Sequence, residues 1–307
     1  MEQIKPEILT KTKVIKTISR VCPNLKIDAI KFLGEGDSCR AYLVNHEWIF
    51  RFAKHDAARA SLQCENCLLP QIAGKIALQI PSPQIVSLEE TETPFIAYPL
   101  LPGRVLSQKR YLALDEQSRA RCAGQVAQFL NQIHSINIDL AQSCRVPFND
   151  YKAQYSGLPK LARENLSAFL SAPDFKFIEK VVARYLASGD AESFRPTLLH
   201  GDLSPNHVLF DEKTNRVSGI IDFGDMMIGD AAWDLIWIYE DYGSDFLSRL
   251  LDVYHESDRK SLLRRVRQFL LLQAIEWAID CQASGDDDLA EAVEQLVALR
   301  IEAENFS

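Results

Sequence analysis

Two stretches of this 307-residue chain decide its interpretation: LHGDLSPNH at residues 199–207 and IIDFGD at residues 220–225. Each begins as an apolar run and ends in polar, turn-forming residues, which is typical of a short strand that leads into a loop. Asp202 lies in the first loop and Asp222 at the end of the second strand. Because strand ends hold side chains rigidly, we expect the two carboxylates at fixed positions beside one cleft.

This pair of carboxylates suits phosphoryl transfer, which needs a fixed base beside a fixed metal ion. Asp202 is predicted to take the proton of an attacking substrate hydroxyl, with a turn-capping role as the alternative. Asp222 is predicted to bind Mg²⁺, which prefers oxygen ligands and bridges nucleotide phosphates. His207 is the candidate for a second ligand, although imidazole is unusual on Mg²⁺ and a structural hydrogen bond is the alternative.

The chain around these stretches divides into a sheet-rich first part and a mainly helical second part. Strand patterns at 29–32, 40–44, 48–52, 84–88 and 94–98 accompany one helical stretch at about 57–76, which Pro70 should kink or divide. A strand at 197–199 and a hairpin at 208–221 interrupt the later helices, which are expected to start near Asp115, Asp230, Asp245, Asp258 and Asp287.

These elements predict an α+β, two-lobed, protein-kinase-like fold. A small antiparallel-sheet lobe with one main helix should occupy residues 1–98 and bind the nucleotide. A larger, mostly helical lobe should occupy residues 99–307 and carry catalysis and substrate binding. The hinge is expected near 98–103, where Pro102 and Gly103 interrupt the pattern.

The combination H-G-D-x-x-x-x-[N/H] and I-D-F-G-D closely resembles the aminoglycoside phosphotransferase family of small-molecule kinases. The run from His207 to Asp211 is most similar to the subgroup that acts on the 2″ hydroxyl of aminoglycosides, and the similarity extends from Arg51 to Tyr254. The resemblance implies transfer of the γ-phosphoryl group of ATP or GTP, with Asp202 as catalytic base and His207 and Asp222 as Mg²⁺ ligands. Most members have Asn at the position of His207.

The small lobe supplies candidate residues for the nucleotide. Gly34, Gly36 and Ser38 fall between two strand patterns. Exposed N–H groups there can cradle a phosphate, although an ordinary hairpin turn would look similar. Tyr98 and Leu100 occupy the connector between the lobes, where backbone groups in such kinases bind the purine.

A cation is also expected beside the α- and β-phosphates. Arg51 on the third strand pattern takes this place, and Lys54 is the alternative. Glu65 on the following helix is the candidate ion-pair partner of Arg51, against the alternative of a solvent-exposed helix position.

Acceptor residues are expected in the helical lobe beyond Asp222. Glu240 and Asp241 at a helix end could receive ammonium groups through charge-assisted hydrogen bonds. Trp277 and Glu276 on the long helix could add an apolar platform and another acid. Acids at helix ends are usually solvated and a helical Trp usually lies in the core, so these plainer alternatives stay open.

Composition limits the partners. The net charge of −8 argues against a nucleic acid and is compatible with a cationic ligand. No apolar run is long enough for a membrane span, and the start lacks a secretory signal. The seven cysteines show no disulfide-like spacing, which favours a reducing compartment, and Cys64 and Cys67 are expected as small apolar helix side chains. We expect a cytoplasmic protein, either a monomer or a weak dimer.

The leading hypothesis is therefore a kinase for a hydroxyl of a small, polycationic molecule, with an aminoglycoside as first choice. One alternative is another acceptor hydroxyl, on a macrolide, choline, homoserine or a peptide antibiotic. A second alternative is a non-catalytic nucleotide-binding protein of the same fold. A protein kinase is disfavoured because no long activation segment follows Asp222, and a helix is expected within about six residues of Gly224.

Overall fold

The first part of the chain is a five-stranded antiparallel sheet in the order β1-β2-β3-β5-β4. The computed structural model describes residues 10–89, 91–256 and 258–305. The sheet confirms the five predicted strands, which are β1 (Ile30–Glu35), β2 (Cys39–Val44), β3 (Trp48–Ala53), β4 (Ile85–Ser87) and β5 (Phe95–Pro99).

Two helices cover the two faces of this sheet. One is α1 (Lys11–Val21), which the sequence did not predict and which packs Val14 and Ile18 against Phe50 of β3. The other is α2 (Asp56–Ile72), the predicted main helix, which packs against β3 and β5. Because side chains alternate along a strand, Arg51 points to the face opposite Phe50, which is the face that α2 covers.

The end of α2 differs from the prediction at Pro70. The helix runs through Pro70 and ends two residues later at Ile72, where a 3₁₀ turn follows at Ala73–Lys75. A proline in the last turn terminates a helix without dividing it, because few residues remain to be hydrogen-bonded. The last turns of α2, with Leu68 and Leu69, pack into the large core of the second part of the chain.

The second part is mainly helical, as predicted, with two small sheets. A three-stranded sheet has the order β6-β8-β9, and a two-stranded sheet pairs β7 with β10. The strands are β6 (Arg104–Val105), β7 (Thr197–Leu199), β8 (Val208–Asp211), β9 (Arg216–Ile220) and β10 (Met227–Gly229). The helices are α3 (Gln108–Leu112), α4 (Glu116–His134), α5 (Ile138–Ser143), α6 (Tyr151–Ser156), α7 (Leu158–Leu166), α8 (Ala172–Ala187), α9 (Ser244–Leu251), α10 (Arg259–Ser284) and α11 (Leu289–Asn305).

Two of the predicted helix starts are capped as expected. The Asp115 side chain accepts the N–H of Ser118 at the start of α4, and the Asp258 side chain accepts the N–H of Ser261 at the start of α10. The helix expected within six residues of Gly224 is wrong, because β10 comes first and pairs with β7. The chain then becomes helical in an irregular form, with a 3₁₀ turn at Trp233–Leu235 and a π-helical turn at Ile238–Tyr242.

The expectation for the cysteines needs a correction. Cys64 is buried as predicted, but Cys67 forms a disulfide with Cys144, 77 residues further along the chain. The packing of α2 beside the end of α5 brings the two Cα atoms to 5.4 Å, within the range that a disulfide requires. This proximity is tertiary, so spacing along the sequence could not indicate it. Among the described residues, no helix is long and apolar enough to cross a membrane.

Candidate active site

The loop that follows β7 is held by one buried carboxylate. The backbone N–H groups of His200 and Gly201 donate to the two oxygens of Asp234, each at 2.9 Å. His134 Nε2 lies 3.0 Å from the same carboxylate, and the Tyr254 hydroxyl lies 2.8 Å from His134 Nδ1. Asp234 is fully buried, and its burial is tolerated because each oxygen has hydrogen-bond partners. Asp234 therefore fixes the backbone just before Asp202.

Gly201 has no allowed substitute in this loop. Its φ is +89°, a region that side chains rarely adopt, and a Cβ at this position would overlap the carbonyl oxygen of Asp225. The loop after β7 and the loop after β9 therefore touch through their backbones. Asp222 also has a positive φ, +65°, which is uncommon for a residue other than glycine and typical of functional sites.

His200 connects the same two loops through its ring. Its Nε2 donates to the carbonyl of Ile221 at 3.1 Å, and its Nδ1 accepts the N–H of Asp202 at 3.3 Å. Acceptance by Nδ1 requires the neutral ring, because both nitrogens of a protonated ring are donors. Complete burial lowers the pKa of His200 to about 4, despite the charge of Asp234, so the ring stays neutral at physiological pH.

His207 and Asp222 face each other as candidate ligands for Mg²⁺, and the Asp222 oxygen is of the type that this ion prefers. His207 Nδ1 lies 2.7 Å from the carbonyl oxygen of Asp202, which can only accept, so Nδ1 carries a proton and Nε2 is the nitrogen that could bind a metal ion. This Nε2 faces Asp222 Oδ2 at 3.7 Å. Within the part of the chain that the structure describes, no three His, Cys, Asp or Glu side chains come together to hold a metal ion. Mg²⁺ does not need such a cluster, because it is usually held by one or two side chains together with phosphate and water.

The carboxylates of the site have different proton affinities. Desolvation raises the pKa of Asp202 above its ordinary value and outweighs the attraction of His207. Desolvation also acts on Asp222, but Arg51 and His207 outweigh it and lower the pKa of that carboxyl. Asp225 has a raised pKa because of desolvation and the negative charge of Asp222. Asp222 is thus the most acidic of the three, as a metal ligand requires, while Asp202 is shifted toward accepting a proton.

Arg51 links the small lobe to Asp222. Its Nη1 donates to both oxygens of Glu65, at 2.9 and 2.6 Å, and its Nη2 donates to Asp222 Oδ1 at 2.8 Å. The other oxygen of this carboxylate, Asp222 Oδ2, faces His207. A second contact from α2 supports this arrangement, because the Ser61 hydroxyl donates to the carbonyl of Gly224. The predicted partner of Arg51 is therefore in place, and Glu65 is fully buried rather than solvent-exposed.

Gly34 lies near the end of β1, and Gly36 and Ser38 lie in the turn between β1 and β2. The N–H of Gly36 is engaged by the Cys39 carbonyl, as in an ordinary hairpin turn. Lys54 does not replace Arg51: its Nζ binds Glu35 Oε1 at 2.8 Å and the Gly36 carbonyl at 2.9 Å. Lys54 therefore fixes the shape of this turn.

The connector places Tyr98 and Leu100 differently. Tyr98 is buried on β5, whereas the Leu100 side chain is 45% exposed. The Leu100 N–H donates to the Glu47 carbonyl at 2.7 Å, so this donor is already used. A purine bound at the connector would have to use other backbone groups.

A cavity of about 640 Å³ lies in the helical part of the chain. Three of the four predicted acceptor residues line it, namely Glu240, Asp241 and Trp277. The π-helical turn that forms one wall also packs against the Pro205–His207 turn after Asp202. The walls come from the π-helical turn region, α10 and α11, with the lining residues Trp237, Glu240, Asp241, Leu270, Gln273, Ala274, Trp277, Glu291, Glu294 and Gln295. Four of these ten residues are acids, so the cavity attracts cations.

The sequence missed part of this cavity. Glu291 and Glu294 lie on α11, and neither forms a motif with Glu240. The only available signal was their helical spacing of three residues, which also fits a solvent-exposed helix face. Glu276, a candidate acid, does not line the cavity, because both of its oxygens accept from Gln154 Nε2, at 2.8 and 3.0 Å.

Comparisons with known proteins agree with this geometry. A model of the phosphotransferase enzyme family matches residues 29–269. Viomycin phosphotransferase of Streptomyces vinaceus is 26% identical over 281 residues, which cover 88% of this chain and 93% of that protein. The solved GDP and kanamycin complex of APH(2″)-IIIa is 27% identical, with a TM-score of 0.88 over 95% of this chain and 99% of that chain.

A more distant structure shares the fold alone. Macrolide 2′-phosphotransferase type I is 19% identical, with a TM-score of 0.70 over 94% of this chain and 98% of that chain. The predicted two-lobed, α+β fold is confirmed by these structures. Since the family model covers more than half of the sequence, this chain belongs to the phosphotransferase enzyme family.

Proposed function

We propose that this phosphotransferase transfers the γ-phosphoryl group of ATP or GTP to a hydroxyl of a polycationic small molecule, with an aminoglycoside as first choice. The observation that carries this proposal is the acidic cavity, one wall of which is the π-helical turn that contacts the Pro205–His207 turn after Asp202. Two of its acids, Glu240 and Asp241, are desolvated enough to raise the pKa of each carboxyl. Ammonium groups of an acceptor would stabilise the ionised forms and receive charge-assisted hydrogen bonds in return.

Two relatives support the class of acceptor. The structure of APH(2″)-IIIa contains GDP and kanamycin, and viomycin phosphotransferase takes its name from viomycin. We infer a cationic antibiotic as the acceptor of this chain, because the cavity has the complementary charge. The relation to viomycin phosphotransferase makes a peptide antibiotic the second candidate.

The site residues receive roles that their positions support. Asp202 would accept the proton of the acceptor hydroxyl as it attacks the γ-phosphorus, and its raised pKa favours this step. Asp222 Oδ2 and His207 Nε2 would hold Mg²⁺, which when bound neutralises charge on the phosphates. Arg51 would bind the α- and β-phosphates while Glu65 keeps its guanidinium in place.

The lobes would divide this work. Residues 1–98, with Gly34, Gly36 and Ser38 in the turn above the phosphates and Tyr98 at the purine end, would bind the nucleotide. Residues 99–307 would bind the acceptor, with Trp277 as the apolar wall beneath a sugar or peptide ring. The connector near 98–103 would join the two halves of the site.

A substrate panel tests the proposal. Purified protein is incubated with Mg²⁺, with ATP or GTP, and with aminoglycosides, viomycin, a macrolide, choline and homoserine. Mass spectrometry then detects a gain of one phosphoryl group. We expect product with one or more polycations and none with the neutral or monocationic acceptors. Product only with choline, homoserine or the macrolide would overturn the polycation assignment, and nucleotide binding without any product would favour a non-catalytic protein.

A further inference from the structure

A disulfide joins the two parts of the chain next to the nucleotide-binding residues. Cys67 lies on α2 and Cys144 directly after α5, 77 residues further along the chain. The other five cysteines, at 22, 39, 64, 122 and 281, are free thiols. We propose that Cys67 and Cys144 are a reversible oxidation site, and that their redox state sets how firmly α2 is held against the large lobe.

The two helices that this disulfide joins, α2 and α5, both contact elements of the proposed active site. On α2, the Ser61 hydroxyl donates to the Gly224 carbonyl and Glu65 holds Arg51 against Asp222. Glu65 is only two residues from Cys67, so movement of this turn displaces the partner of Arg51. At the other end, α5 packs against β7, the strand that leads into the catalytic loop. The disulfide therefore joins the helix that positions Arg51 to the element that supports Asp202.

The surroundings of the two sulfurs suit a reversible reaction. Cys67 is half-buried, so a small reagent can reach it, whereas the Cys144 side chain is only 4% exposed. The Gln71 amide Nε2 lies 3.8 Å from Cys67 Sγ and 3.5 Å from Cys144 Sγ. An amide donor at this position stabilises a thiolate at either sulfur, and the thiolate is the form that attacks a disulfide.

The reaction is thiol–disulfide exchange with a low-molecular-weight disulfide. The Cys67 thiolate attacks one sulfur of the reagent and releases the first small thiolate, which leaves a mixed disulfide on Cys67. The Cys144 thiolate then attacks the Cys67 sulfur and releases the second. Two protein thiols lose two electrons and two protons, and the reagent becomes two small thiols. A small thiol in excess reverses both steps.

The functional consequence rests on the proposed nucleotide site. In the oxidised form, α2 cannot move away from the large lobe, so Glu65 and Ser61 keep Arg51 and Gly224 in position. Reduction removes this covalent link and leaves the packing of Leu68 and Leu69 to hold the end of the helix. The helix then opens more often, and the cost of ordering it is added to nucleotide binding. We expect the reduced form to bind the nucleotide about fivefold more weakly, the lower end of the range usual for coupled sites.

The test compares the full-length protein after equilibration with glutathione disulfide and with reduced glutathione. Peptide mapping by mass spectrometry identifies the cross-link, and amide hydrogen exchange measures the opening of α2 without any nucleotide. Calorimetry then measures the affinity for the Mg²⁺–nucleotide complex in both forms. We expect a Cys67–Cys144 cross-link, slower exchange across residues 56–72 in the oxidised form, and the fivefold difference in affinity.

Three variants make the result specific. In C67S, exchange and affinity should no longer respond to glutathione, and C67A checks that the effect does not come from the serine hydroxyl. In C64S, one turn earlier on the same helix, the response should persist. A missing cross-link, equal exchange in both forms, or a response that survives in C67S would overturn the proposal. Failure of both forms to bind nucleotide would refute the proposed function instead, while the exchange data would still decide the redox proposal.

Discussion

The proposed transfer centre around Asp202 and Asp222 and the proposed acceptor cavity are built in opposite ways. In the transfer centre, the polar groups that set the geometry are buried and held by several partners, as Asp234 and Arg51 illustrate. In the cavity, Glu291 and Glu294 are exposed. Phosphoryl transfer depends on positions fixed to a fraction of an ångström. Attraction of a polycation depends mainly on charge, which mobile side chains supply equally well.

This difference predicts that the two regions fail differently when they are changed. Variants in the transfer centre should lower the rate or the nucleotide affinity whatever the acceptor. Variants in the cavity should alter the apparent affinity for the acceptor and leave the rate at saturation intact.

The largest effect is expected from D202N. Loss of the base should lower kcat by about a thousandfold, within the range of general base catalysis, and leave nucleotide affinity within about twofold of wild type. Steady-state kinetics and calorimetry measure the two quantities. D211N removes a carboxylate from a nearby hairpin, where Asp211 only caps a turn, and should keep full activity. Retention of most of the activity in D202N would exclude Asp202 as the base.

A smaller effect is expected from R51K. A lysine has one ammonium group and cannot contact both Glu65 and Asp222 with the geometry of the arginine fork. Nucleotide affinity should fall by about twentyfold, the equivalent of one hydrogen bond to a charged group. R40K on the neighbouring strand is the control, because Arg40 contacts Glu35 away from Asp222. Equal affinities in R51K and R40K would contradict the role of Arg51.

The cavity should respond to the double variant E240Q/E294Q. Because exposed ion pairs are individually weak, KM for a polycationic acceptor should rise by about fivefold, with kcat unchanged. Added salt should weaken acceptor binding in the wild type more than in the variant. The double variant E164Q/E179Q removes the same charge outside the cavity and should keep the wild-type KM. A lower kcat with unchanged KM would show that the cavity is part of the transfer centre.

The smallest effect concerns Glu276, which neighbours the cavity residue Trp277 but faces Gln154. Burial raises the pKa of Glu276 to about 7. Between its unfolded pKa of about 4.3 and this value, the folded state holds a proton that the unfolded state has lost, so stability falls as pH rises.

The variant E276Q lacks this titration. The free energy of unfolding of the variant minus that of wild type should therefore rise by about 1 kcal/mol between pH 5 and pH 8. This is only a fraction of the full linkage effect, because the site is partly exposed. Urea denaturation at the two pH values measures the change, and E164Q at an exposed position should show no such trend. An equal trend in both variants would mean that Glu276 does not titrate as a buried group.

The two regions also differ in how much of each the sequence could predict. Asp202, His207 and Asp222 lie within 21 consecutive residues, so strand ends and turn residues were enough to bring them together. Arg51 followed from its place on the third strand pattern, where the family resemblance implies a cation, and Glu65 was its candidate partner on the following helix. The cavity combines residues from 237 to 295 on three separate helical segments, and only packing in three dimensions brings these together.

The elements missed by the sequence analysis have a similar cause. The strand β10 has three residues and exists because β7 pairs with it, so the local sequence carries little signal. The Cys67–Cys144 link depends on the packing of α2 beside α5, and the burial of Glu65 depends on Arg51. These features arise from tertiary contacts, which residue patterns do not encode locally.

The most direct test of the account measures acceptor phosphorylation by three proteins at low and at saturating acceptor concentration. With wild type, mass spectrometry should show product at both concentrations. D202N should give about a thousandth of the wild-type amount at either concentration. E240Q/E294Q should give little at the low concentration and wild-type amounts at saturation. Near wild-type amounts from D202N, or an equal deficit of E240Q/E294Q at both concentrations, would contradict the separation of a fixed transfer centre from an electrostatic acceptor cavity.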